Sequence, residues 1–125
     1  MRLADGALHL GAEPDVVARA RHHVANALAK TEHAELVPDA ELVVSELVTN
    51  AVRYGRPPVT LELEATADGV TAAVADGTPE RPDRRNPDLD DESGRGLLLI
   101  DLLAADSGVR PVPPGKAVWA ALPRP

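Results

Sequence analysis

Three short stretches of the sequence carry residue types that chemistry uses. The first is Glu46-Leu47-Val48-Thr49-Asn50. A spacing of four puts Glu46 and Asn50 on one helix face, opposite the apolar residues Leu47, Val48 and Ala51. Arg53 follows three residues beyond Asn50 on the same side. A carboxylate beside a carboxamide can hold a hydrated magnesium ion, which takes one or two protein oxygens and keeps several waters. The carboxylate can also accept a proton from a nucleophile. A solvated helix face has the same spacing, but asparagine is a poor interior helix residue and needs another reason to be there. The second stretch is Asp76-Gly77-Thr78. An acid there can accept a hydrogen bond from an exocyclic amine such as that of adenine, and the glycine lets a ring approach the backbone. An ordinary Asp-Gly turn has the same residues. The third is Ser93-Gly94-Arg95-Gly96-Leu97, a glycine-rich turn opening an apolar helix. Backbone N–H groups at such a helix start, together with the dipole, favour phosphate; a loop ending at a helix cap is the plainer reading.

Other chemistries are excluded by what the chain lacks. It has no cysteine, which removes disulfides, iron–sulfur clusters and thiol nucleophiles. The three serines (Ser45, Ser93, Ser107) do not sit in Gly-x-Ser-x-Gly. His22 and His23 are adjacent in a helix and diverge by about 100°, while His9 and His33 lack metal-ligand spacing. Neither the Rossmann nor the P-loop glycine pattern occurs. The formal charge of −7 disfavours a phosphate backbone or an anionic membrane, so no direct nucleic-acid or membrane partner is expected. No apolar run reaches the length of a membrane span. The start, Met1-Arg2-Leu3-Ala4-Asp5, has no apolar signal region, so a cytoplasmic protein is expected.

The elements that must position these residues follow from periodicity. The 125 residues suit one domain, 1–125. Its core is expected to be aliphatic, because 21 residues are alanine and only Tyr54 and Trp119 are aromatic. Residues 7–12 read as a first strand. Glu13-Pro14-Asp15 opens a helix in which Val17, Ala20, Val24 and Leu28 recur at helical spacing. A second helix runs from about Pro38 to Tyr54, stopped by Gly55, with the stripe Ala40, Val43, Val44, Leu47, Val48, Ala51. Residues 59–66 alternate apolar and polar, Asp68-Gly69 marks a hairpin, and Val70–Ala75 returns. The aperiodic loop at about 77–96 is long for a compact domain, which marks it as functional or mobile. An apolar helix from Leu97 to about Ala105 and strands at Val109–Val112 and Ala117–Leu122 close the chain. The order β-α-α-β-β-loop-α-β-β predicts an α+β fold, a two-layer α/β sandwich whose mainly antiparallel sheet is covered on one face by helices.

In order and spacing, the helical Glu-x-x-x-Asn, the hairpin ending in Asp-x-Thr and the loop closed by Gly-x-Gly-Leu resemble the Bergerat ATP-binding fold. That fold (also called GHKL) is shared by type II topoisomerases and histidine kinases. Over residues 5–122 the chain is similar to the free-standing anti-sigma-factor serine/threonine kinases. ELVVSELVTNAVRYG (41–55), GRGLLLIDLLAADSGVRP (94–111) and GKAVWAAL (115–122) carry the likeness. The resemblance implies ATP and Mg2+ as cofactors, with Glu46 as general base and Asn50 as magnesium ligand. Asp76 would contact the adenine amine, with Thr78 and Arg53 in the nucleotide site. Gly94, Arg95, Gly96 and Leu97 would meet the triphosphate beneath a lid at 77–96. It also implies a STAS-type antagonist as phosphate acceptor, a sigma factor as the alternative partner, and a homodimer. Two departures stand out. The family commonly has a threonine after Gly-Lys in the last strand, where this chain has Ala117; loss of that hydroxyl predicts adenine binding weaker by about 1 kcal/mol. Thr78, Pro79 and Glu80 stand where a further glycine is usual.

Two other readings are open at this stage. One is a non-catalytic module that senses nucleotide through the lid. The other is the detached ATP domain of a histidine kinase, disfavoured because only His22 or His23 would be a candidate phospho-acceptor. Arg19, His22, His23 and Asn26 form a basic strip on the first helix, a partner surface or an ordinary solvated face.

Overall fold

The computed structural model describes residues 2–11, 13–78 and 99–125, residues 2–7 by backbone only. Five strands, β1 (Arg2–Leu10), β2 (Val59–Thr66), β3 (Gly69–Asp76), β4 (Asp106–Val112) and β5 (Gly115–Pro123), form one sheet in the order β1-β2-β3-β5-β4. Every neighbouring pair is antiparallel. Helix α1 (Val16–Ala29) and helix α2 (Val37–Tyr54) pack on one another and on the sheet. A 3-10 turn, Ala34–Leu36, leads directly into α2. This is the α+β two-layer arrangement that the element order predicts.

The core is the meeting of two periodicities. On α1, residues Val16, Ala20, Val24 and Leu28 are buried; on α2 the buried residues are Ala40, Val43, Val44, Leu47, Val48 and Ala51. Opposite them lie alternate residues of three adjacent strands: Leu61 and Leu63 of β2, Val70, Ala72 and Val74 of β3, and Ala120 and Leu122 of β5. Leu10 of β1 and Ile100, in a helical segment at 99–103, complete the cluster. Neither ring belongs to it. Tyr54 is exposed, and Trp119 is half-buried on the other face of the sheet, its indole over Gly108. His33 is buried in the turn before α2, where its Nε2 lies 2.6 Å from the Thr66 carbonyl and ties that turn to the end of β2.

Boundaries differ from the sequence reading where a partner strand overrides local pattern. β1 starts at Arg2 and ends at Leu10, five residues earlier and two residues earlier than the alternation at 7–12 suggests. Arg2 pairs with Glu64 and Leu10 with Val59, with a register shift between Leu3 and Leu8. Pairing with β2 holds the first residues extended without their own alternation. At the hairpin, Thr66 pairs with Gly69, so the two-residue loop is Ala67-Asp68 and the glycine closes it from within β3. Gly69 has φ +150, and a Cβ there would run into the Leu122 carbonyl of β5; only glycine meets both conditions.

Leu61 is fully buried at the centre of this core. Leu61→Ala is expected to lower stability by about 2–5 kcal/mol, as a cavity that alanine-rich surroundings cannot refill; urea unfolding measures it. His23, half-buried on α1, has its pKa lowered from 6.5 by burial. The unfolded chain then binds that proton more tightly than the folded one, so His23's contribution is full above about pH 6.5 and lost as pH falls towards the lower folded value. Melting curves at pH 7.5 and 5.5 should show a smaller acid-side loss for His23→Gln than for the unaltered protein.

Candidate functional site

Asp76 ends β3, and its cross-strand partner on β5 is Lys116. Paired residues on adjacent strands project to the same face, here the one beneath α2. The Lys116 ammonium donates to Asp76 Oδ2 at 3.1 Å, to Asp76 Oδ1 at 3.3 Å and to the Thr78 carbonyl at 3.1 Å. The Thr78 backbone N–H donates to Asp76 Oδ1 at 2.6 Å. Asp76 and Lys116 are only 4% and 7% exposed. Burying two opposite charges is tolerated when geometry is close and further hydrogen bonds satisfy them; both conditions hold here.

The backbone closes tightly around this pair. Gly55 follows α2 with φ −94 and ψ −176, an extended conformation open to any residue. Its need for glycine is space: a Cβ there would stand 2.5 Å from Asp76 Cγ and 2.6 Å from the Ala51 carbonyl oxygen. The C-terminal end of α2 therefore rests on the carboxylate. From the other side, a Cβ on Gly115 would land on the Asp76 carbonyl oxygen. The Gly77 N–H donates to the Arg56 carbonyl at 2.6 Å, which fixes the chain where it leaves β3. Thr78 is buried, and its Oγ1 has no hydrogen-bond partner among the described residues. An unsatisfied buried hydroxyl costs about 1–3 kcal/mol. It stands beside an acid whose carboxylate is engaged in hydrogen bonding with Lys116 and the Thr78 N–H.

Glu46 and Asn50 lie one turn apart on α2, both half-buried on the flank of its apolar stripe. Since α2 packs on β3 and β5, one helix carries these two side chains and abuts Asp76 at its end. Arg53, one turn further, is exposed, with its guanidinium carbon 5.4 Å from the Tyr54 ring centroid. Among the described residues no group of three or more His, Asp or Glu side chains could hold a metal ion. A magnesium ion would rely on Asn50 and on the phosphates it accompanies, in keeping with its usual sparse protein coordination. Gly94, Arg95, Gly96 and Leu97 lie outside the described residues, as does the expected lid beyond Thr78.

Lys116 escaped the sequence reading. The signal was a lone lysine, one of only two, at the start of the closing strand. The expectation attached to Ala117 is corrected by the register. Ala117 pairs with Ala75, so it projects to the face opposite Asp76. A threonine at 117 would project to that same far face, away from the carboxylate. The side chain that does face Asp76 is one residue earlier.

Gly115→Ala is expected to cost about 2 kcal/mol or more, since backbone atoms meet the new Cβ and cannot yield. Gly11→Ala serves as the control: the nearest atoms to a Cβ there belong to the Glu13 side chain, which is exposed and can swing away. Thermal melts of the two variants should separate clearly.

A family model described as "Histidine kinase-like ATPase domain" matches residues 10–122. No curated protein matches the chain. The match spans both helices and runs from the end of β1 to β5, taking in Glu46, Asn50, Asp76 and Lys116 alike. With an antiparallel sheet under two helices and a buried acid at the end of β3, the chain belongs to the histidine kinase-like ATPase domain family, whose members are ATP-binding domains.

Proposed function

We propose that this protein is a serine/threonine protein kinase of the anti-sigma-factor type, which passes the ATP γ-phosphate to a STAS-type antagonist and holds a sigma factor in its other state. The observation that carries the reading is the placement of Glu46 and Asn50 on the helix that ends against the Asp76 carboxylate. One rigid element then sets the distance between the base-reading end of the site and the reacting end. Glu46 takes the proton from the acceptor Ser or Thr hydroxyl as that oxygen bonds to the γ-phosphorus and the bond to the ADP oxygen breaks. Asn50 would hold the magnesium ion, whose charge offsets that of the phosphate oxygens. Asp76 accepts from the exocyclic amine of adenine, and Thr78 Oγ1 is the adjacent hydroxyl, without a partner among the described residues.

The strip on α1 is a partner-facing candidate. Its Arg19 lies 3.7 Å from Glu13, and Arg21 beside the strip lies 3.5 Å from the half-buried Glu41 of α2, pairs worth little to folding. A partner's acids can compete for these guanidinium groups at small cost.

Glu46→Gln is expected to lower phosphotransfer to a STAS-domain acceptor by about 100-fold or more, with the Kd for ATP little changed. Asn50→Ala should weaken ATP binding in magnesium and leave magnesium-free binding as it was. Calorimetry with ATP and ADP, beside a radiolabelled transfer assay, reads both. Transfer at the normal rate by Glu46→Gln refutes the base assignment. ATP binding without transfer by the unaltered protein favours the non-catalytic, nucleotide-sensing reading.

A further inference from the structure

Lys116 has no part in the chemistry given to Glu46 and Asn50, yet it is buried at the base-reading end of the site. An ammonium has three protons and no acceptor. Its contacts are with both Asp76 oxygens, which lie close enough together to share one proton, and with the Thr78 carbonyl. Every hydrogen bond it makes among the described residues is therefore to Asp76 or to the turn that follows it. Its effect falls on Asp76. A carboxylate oxygen offers about two acceptor positions. Oδ1 accepts from both Lys116 and the Thr78 N–H, whereas among the described residues Oδ2 accepts from Lys116 alone. Among the described residues the carboxylate is thus held in one orientation with an acceptor position left on Oδ2, and a cation lies beside it.

We propose that Lys116 is a positioning residue that sets base specificity, by holding Asp76 as an ionised group that can only accept. The inference rests on the nucleotide reading of this site. Against such a group, the amine of a 6-aminopurine donates. A 6-oxopurine in the same pose sets its O6 lone pairs against Oδ2, acceptor facing acceptor. Without Lys116 the discrimination is lost. A carboxyl group buried against the α2 C-terminus and stripped of its cation takes up a proton rather than keep its charge. Its O–H then donates to O6 as readily as its C=O accepts from the amine.

The test compares ATP with ITP, which replaces the amine by a carbonyl, using calorimetry on the unaltered protein and on Lys116→Met. The unaltered protein should prefer ATP by about tenfold or more, and Lys116→Met should bring the two within about threefold, mainly by gaining ITP affinity. If Lys116→Met fails to fold, Lys116→Gln keeps hydrogen-bond donors near Asp76 while removing the charge, and the same narrowing is expected. Equal weakening of both nucleotides with the ratio unchanged would mean that Lys116 only supports the fold, and overturns the proposal. So does a folded variant that binds neither nucleotide, because Lys116 would then be holding the pocket together instead of choosing its ligand. An unaltered protein that binds neither removes the nucleotide reading itself, and this inference with it.

Discussion

A pair of opposite charges, Asp76 and Lys116, lies buried where the two central strands of the sheet meet the end of α2. Much of the local structure answers to it. Each ion loses its water, and the protein must supply in return a close partner and further hydrogen bonds. The Thr78 N–H and carbonyl do so on either side. Space is the second demand, met by leaving Cβ atoms out at Gly55 and Gly115. The ion pair also fixes β3 against β5 at the end of the sheet where binding is expected, so register, helix end and candidate site are one constraint.

The rest of the core is aliphatic and shallow, with valine, leucine and alanine on both layers and no ring among them. Small side chains let helices and sheet approach closely, and that closeness brings the α2 terminus onto a carboxylate. The cost is a core with little reserve: truncating one leucine removes a large share of a margin that is only a few kcal/mol in domains of this kind.

The α2 side chains and the strand end beneath the helix C-terminus differ in exposure. Glu46 and Asn50 are half-buried, near enough to solvent for a partner's hydroxyl and a hydrated ion to reach them. Asp76 and Thr78 are buried, where a polar atom without a partner is costly. In the proposed reading, the half-buried helix side chains would use the nucleotide and the buried strand end would read its base.

Much of this was legible in residue order alone. The stripe from Ala40 to Ala51 and the alternation from Val59 to Thr66 specify α2 and β2, because a helix and a strand each bury residues at their own period. The spacing of Glu46 and Asn50 put them on one face for the same reason. The pairing of Asp76 with Lys116 was not legible. The two lie 40 residues apart, on strands joined through the loop and β4, and nothing local sets their register. The same register moved residue 117 to the far face, since a strand reverses its side chains at every step. Gly55, which reads as a helix stop, is required by a carboxylate more than 20 residues away. The sequence by itself determined the elements and the faces they bury, because those follow from short-range period. Only the tertiary structure decided which side chains share the site, because that depends on how distant strands align.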